Sequence, residues 1–157
     1  MRKISNKKGF TLIELLIVVA IIGILATFLM VNFVGVRQRA RDAQRKADLR
    51  QIQSALELYR ADASNGSYPA DGNDSALNTC GAGDSLTSSD KTVTYMATIP
   101  CDPSTLSSYK YTPTNNGAGY LIVACLENEN DSQLDKDGSG EPIKCSQGGY
   151  FYTLQNP

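Results

Sequence analysis

The chain has no histidine and no tryptophan. Without imidazole it has no side chain whose ordinary pKa suits general-base work at neutral pH, and it lacks the commonest ligand of catalytic zinc. Cysteine is missing from the first 79 residues, and the four cysteines that follow form no Cys-x-x-Cys pair. That spacing gives little support to a zinc site and favours disulfides made in an oxidising compartment. Residues 1–9 contain no acid, residues 15–36 contain no charge, and residues 36–63 contain neither proline nor glycine. No Ser/His/Asp, Cys/His or phosphate-loop arrangement is present, so an enzyme is the least supported reading.

Charge is abundant but segregated. Residues 1–60 carry 11 of the 15 basic side chains and 4 of the 16 acidic ones, so the remainder of the chain is acidic. An acidic head is a poor electrostatic match for a phosphate backbone, and no direct nucleic-acid partner is expected for it. At 157 residues, with one segment given to a membrane or a partner's apolar face, there is room for one modest globular domain.

The uncharged run of residues 15–36 spans roughly 33 Å as a helix, enough to cross a bilayer. Arg2, Lys3, Lys7 and Lys8 precede it and favour a cytoplasmic N-terminus. Arg37, Arg39 and Arg41 on the far side weaken that contrast, so the orientation also leans on the distal cysteines. The apolar core is longer than a secretory signal's, and no cysteine stands near residue 25 as a lipoprotein signal requires. Glu14 sits inside its first turns. A carboxylate in such a place costs about 2.5–3.5 kcal/mol at the bilayer centre, so it is a functional residue by default, with snorkelling to the interface as the alternative.

Past residue 36, apolar residues fall at helical intervals but on two faces. Val36, Ala40, Ala43 and Ala47 form one; Leu49, Ile52, Leu56, Tyr59 and Ala63 form another, nearly opposite at about 100° per residue. The first stripe is expected to face other subunits and the second to pack on the chain's own head, with a single amphipathic helix carrying a stutter as the alternative. The basic run Arg37, Arg39, Arg41, Arg45, Lys46 and Arg50 reads as a solvated face. Local pairs with Asp42 or Asp48 are worth tenths of a kcal/mol, and anionic lipid is a rival partner for it.

The helix should end near Ala63, where Ser64-Asn65-Gly66-Ser67 and Tyr68-Pro69 supply turn chemistry. Residues 70–92 read as a loop. Residues 108–112, 120–126 and 150–154 have strand composition and predict a small antiparallel sheet on the Leu49 face. The tyrosines there read as packing and rim residues, with a sugar-binding platform as the alternative. Four cysteines allow three pairings. Cys80 with Cys101 and Cys125 with Cys145 is favoured, since each closes a local loop worth roughly 3 kcal/mol. Between the last two, Asp135, Asp137, Ser139 and Glu141 alternate oxygen-bearing side chains around glycines. Such a pattern suits calcium, with a solvated acidic loop as the alternative; no cofactor is required.

The run Gly9-Phe10-Thr11-Leu12-Ile13-Glu14-Leu15-Leu16, continuing apolar to Ala26, resembles the class III signal segment of type IV pilins and type II secretion pseudopilins. Leu58-Tyr59-Arg60-Ala61-Asp62 with Asn65 to Pro69, and Tyr95-Met96-Ala97-Thr98-Ile99-Pro100-Cys101-Asp102-Pro103, are similar to segments of the major pseudopilin. The resemblance implies an α+β fold, a long N-terminal helix packed on a small antiparallel sheet with a disulfide-stapled loop region. It divides the chain into a cleaved basic leader (1–9), a transmembrane and filament-core helix (10–36), an amphipathic extension (37–63) and a head (64–157).

The resemblance further implies cleavage by prepilin peptidase between Gly9 and Phe10, N-methylation of Phe10, and an assembly role for Glu14 through the neighbouring subunit's N-terminal amine. The implied partners are other copies in a helical filament, the peptidase and an inner-membrane assembly platform. The implied location is the bacterial cytoplasmic membrane, N-in and C-out, and afterwards an extracellular or periplasmic filament. Some major pseudopilins also carry calcium in their C-terminal loop. The family often has proline where Val31 stands, so any break of the helix here would fall to Gly23 or Gly35. The rival from another class is a single-pass anchored binding or adhesin module.

Overall fold

The structure is a computed structural model that describes residues 9–70, 76–146 and 148–156. The chain forms two compact units, Met1–Arg37 and Gln38–Pro157. Basic residues 2–8 of the expected leader lie outside the described residues.

One α-helix, α1, runs Leu12–Asp62 and continues through Gly23 and Gly35. With no proline inside it, every turn keeps its backbone donors, so neither glycine breaks it. In the first unit the stretch Leu12–Met30 is long and apolar enough to cross a membrane. Large side chains of this unit are open to the surroundings: Phe10, Leu12, Phe28, Met30 and Val36 are all more than half exposed. The Arg37 guanidinium lies 5.7 Å from the centre of the Phe33 ring, one turn back.

In the second unit α1 shows the two expected faces. Leu49, Ile52, Ala55 and Leu56 are buried, whereas Ala40, Ala43 and Ala47 are exposed. Each fully buried aliphatic side chain contributes about 1.5–3 kcal/mol, far more than an exposed ion pair, so the Leu49 stripe holds this part of α1 to the head.

The head's main sheet has three antiparallel strands, β3 (Lys110–Thr114), β4 (Gly119–Leu126) and β5 (Tyr150–Gln155), with β4 central. Tyr111 pairs with Ile122, and Ala124 with Tyr152. Alternation along β4 buries Tyr120, Ile122, Ala124 and Leu126, which form the core with Tyr109, Tyr111, Tyr152 and the helix stripe. Pro113 sits on β3, an edge strand, where its missing donor is tolerated. The β3–β4 turn uses Asn115, Asn116 and Gly117, all with positive φ, a conformation these residue types adopt at low cost.

Residues 70–92, expected as a loop, are not wholly one. A short 3-10 turn covers Ala76–Asn78, and β1 (Leu86–Thr87) pairs antiparallel with β2 (Thr94–Met96). Leu86 is buried and ties this hairpin to the core, a long-range contact that turn-rich composition conceals. The turn after α1 is anchored as well. Tyr68 donates from its backbone to the Gly117 carbonyl (2.8 Å) and from its hydroxyl to Glu57 (2.8 Å), and its ring meets Tyr120 edge-on at 4.6 Å. Cys80 is bonded to Cys101 and Cys125 to Cys145.

Candidate functional site

Gly9 and Phe10 lie just before α1, and both are exposed. Among the described residues a side chain at Gly9 would meet nothing within 4 Å. Helix α1 then begins on a capping box. Thr11 Oγ1 accepts from the Glu14 backbone N–H (3.3 Å), and Glu14 Oε2 accepts from the Thr11 backbone N–H and hydroxyl, both at 2.8 Å. The Thr-x-x-Glu spacing that signals this box was legible in the sequence but is not part of the expectation drawn for Glu14. Thr11 offers the carboxylate two neutral donors and no positive charge. Among the described residues Glu14 is therefore hydrogen-bonded and meets no cation.

The basic run on α1 is not a solvated face throughout. Arg45 is buried, and its guanidinium bonds Asp102 (Nε–Oδ2 2.7 Å), Asp42 (2.8 Å), Glu127 (2.9 Å) and the Ser104 hydroxyl (2.8 Å). Arg41 makes a two-pronged pair with Glu127, and Lys46 bonds both oxygens of Asp131 at 2.6 Å. Asp42 completes the cluster by accepting the backbone N–H groups of Glu127 and Asn128, each at 2.9 Å. Asp48 takes no part and accepts from the Tyr109 hydroxyl at 2.7 Å. Residues 127–131 thus dock on α1.

Electrostatics follow the geometry. The bond from Arg41 is the largest influence on Glu127 and, with Arg45, holds its carboxyl down at about 2. Burial pushes the Asp102 carboxyl up, but the bonds from Arg45, Ser104 and Thr105 outweigh it and leave it lowered. Asp131 behaves alike, burial opposing and the Lys46 bond prevailing. Asp48 goes the other way: burial raises its carboxyl, and Tyr109 only partly offsets that.

The expected calcium set is not assembled. Asp137 Oδ1 accepts the Ser139 and Glu141 backbone N–H groups (2.9 and 3.1 Å) and the Ser139 hydroxyl (2.6 Å), while Asp135 holds Thr153. Among the described residues no three acidic, histidine or cysteine side chains gather as a metal site. The oxygens of Asp135, Asp137, Ser139 and Glu141 do not converge, because those of the first three close local turns and strand contacts instead.

An exposed Gly–Phe junction, a long unburied apolar helix with one carboxylate in its first turn, and a disulfide-stapled sheet head define a pilin-like class of protein. Residues 4–30 match the prokaryotic N-terminal methylation motif, and residues 32–140 match type II secretion system (T2SS), protein G. The chain belongs to the type II secretion system protein G family. It is similar to the type II secretion system core protein G of Vibrio cholerae, 38% identical over 69 residues, covering 44% of this chain and 46% of that protein. It is also similar to the type IV wide pilus major component PilA4 of Thermus thermophilus, 51% identical over 63 residues, covering 40% of this chain and 47% of that protein. The chain thus spans just under half the length of the curated relatives it matches. No solved structure matches it.

Proposed function

We propose that this chain is the structural subunit of a type IV pilus-like or type II secretion pseudopilus filament. It enters the cytoplasmic membrane N-in and C-out and is cut by prepilin peptidase between Gly9 and Phe10. The new amino group of Phe10 is N-methylated, and the chain is passed by the inner-membrane platform into a polymer cored by its apolar helix. The role is structural, and no cofactor is required for it.

The observation that carries this reading is the state of Glu14. The carboxylate lies beside apolar side chains more than half exposed, from Leu12 to Leu16, and among the described residues it receives only the neutral donors of Thr11. Carboxylate and ammonium are each costly in a dry environment and partly offset that cost when paired. A neighbour's Phe10 amine supplies the missing charge, so docking in register relieves a strain that an isolated subunit retains. The exposed stripe Ala40, Ala43 and Ala47 gives the outer half of the helix a surface that lets a second backbone come close.

Intact mass of the protein extracted from cells that contain the peptidase tests the reading. Loss of residues 1–9 and gain of one methyl group is the expected result. An intact leader there would favour the anchored binding module instead. The Thermus relative is a type IV pilus component and the Vibrio relative a type II secretion core protein, and imaging cells for long extracellular fibres separates a surface pilus from a short pseudopilus.

A further inference from the structure

Helix α1 carries cations of two kinds within the second unit. Arg41, Arg45 and Lys46 are taken up by Asp42, Asp102, Glu127 and Asp131 of the same chain. Arg39 and Arg50 are exposed, and among the described residues neither forms an ion pair. Eleven residues apart, they stand about 20° from each other around the helix and about 16 Å along it, so they share a face. Ala43, Ala47 and Ser54, all exposed, lie on or beside that face. Leu49, Ile52 and Leu56 point roughly 100–160° away from Arg50, towards the head.

The acidic side has a matching remainder. The turn that carries Asp137 and Glu141 is closed by the Asp137 backbone N–H on the Glu141 carbonyl at 2.9 Å, so both carboxylates stand on one tight tip. Both residues are exposed, and among the described residues neither meets a cation. Ile143, 39% exposed, adds an apolar edge beside them.

Building on the filament reading, we propose that the acidic turn of residues 137–141 of one copy seats on the Arg39–Arg50 face of α1 of a second copy. Charge complementarity and the small side chains between the two arginines select this occupant. The two surfaces are different patches of one molecule, so the contact is head-to-tail, the kind that propagates into an open helical polymer rather than closing a dimer. The Glu14 pairing sets register within the apolar segment. This second contact sets the rotation of each head about its neighbour's helix, and like charges placed there oppose docking strongly.

The test uses the full chain in cells that polymerise it, with polymer measured against the membrane pool. Arg39→Glu with Arg50→Glu, and separately Asp137→Lys with Glu141→Lys, are expected to lower polymer about tenfold each, as like-charge juxtaposition does at a docked surface. All four together are expected to restore at least half of it. Lys91→Glu, an exposed change elsewhere on the head, serves as the control. Thermal melting of the detergent-extracted variants checks that each head still folds. A second measurement reads the contact directly: Arg50→Lys filaments treated with a zero-length carbodiimide should yield a cross-linked peptide joining residue 50 to Asp137 or Glu141 of another copy. Unchanged polymer after either reversal, no recovery in the combination, or no such cross-link overturns the contact and leaves the filament reading standing. A wild-type chain that never polymerises overturns both.

Discussion

Arg45 Nε lies 2.7 Å from Oδ2 of Asp102, a residue 57 positions further along the chain, and both are buried. The pair draws Asp42, Glu127 and Ser104 into one cluster, and its neighbours Arg41 and Lys46 extend it to residues 127–131. The ions are close-packed and hydrogen-bonded on several sides, the condition under which a buried charge is tolerated. The cluster fixes where the loop after β4 meets α1.

Arg45→Met should lower the stability of the detergent-extracted chain by about 3–5 kcal/mol, because Asp42 and Asp102 keep their buried charges and lose their cation. Chemical denaturation followed by circular dichroism measures it. A loss below about 1 kcal/mol would show that solvent reaches the cluster.

The same cluster makes stability depend on acid. Glu127 is held at about 2 against an ordinary 4.5, and Asp102 and Asp131 are lowered as well. A carboxyl bound more tightly as the anion in the folded state stabilises it fully above its unfolded pKa and loses that contribution as pH falls towards the folded value. Melting temperature should therefore fall from about pH 4.5 downward. Asp48, raised by burial, has the opposite sign and softens the drop. Glu127→Gln should flatten the profile across this window, and an unchanged profile would remove Glu127 from the account.

Gly149 has φ +87°, and a Cβ placed there would come within 2.5 Å of the Leu126 carbonyl oxygen. Its own carbonyl accepts the Cys145 backbone N–H at 2.9 Å. Gly149→Ala should cost more than the 1–2 kcal/mol of a left-handed residue alone, at least about 2 kcal/mol, since backbone rather than a flexible side chain must move. Gly138→Ala, open on all sides, should cost far less; equal losses in thermal melts would refute the packing argument.

Chelation by EGTA should leave the melting temperature unchanged, because the oxygens of Asp135, Asp137, Ser139 and Glu141 do not converge. A drop of several degrees on chelation, restored by added calcium, would show that the loop rearranges around the ion.

Glu14→Ala should insert into membranes at least as well as wild type, since a charge costly in hydrocarbon is gone, and should fail to polymerise. Membrane fractionation beside polymer yield separates the two effects. Normal polymer from this variant would dismiss the pairing with a neighbour's amine.

Much of the architecture was legible because it rests on short periods. The switch from the Ala40 to the Leu49 stripe announced which face of α1 meets the head, and the aromatic and β-branched composition of residues 120–126 announced a strand, though not that it is the central one. The short β1–β2 hairpin was hidden, since a two-residue strand carries no period and Leu86 is buried only through distant contacts. The docking of residues 127–131 on α1 was half visible: opposite charges were segregated along the chain, but nothing local says which acid meets which base. Arg41 and Glu127 are 86 residues apart.

The sequence by itself determined the uncharged helix, the lone carboxylate at its start, the Gly9–Phe10 junction and the acidic head, because each follows from composition or spacing within a few turns of chain. Only the tertiary structure decided that Arg41, Arg45 and Lys46 are spent inside the molecule while Arg39 and Arg50 are left outward. The physical reason is geometric. Neighbouring cations on one helix differ by about 100° in direction, and which of them meets a carboxylate depends on where the sheet and its loops come to rest.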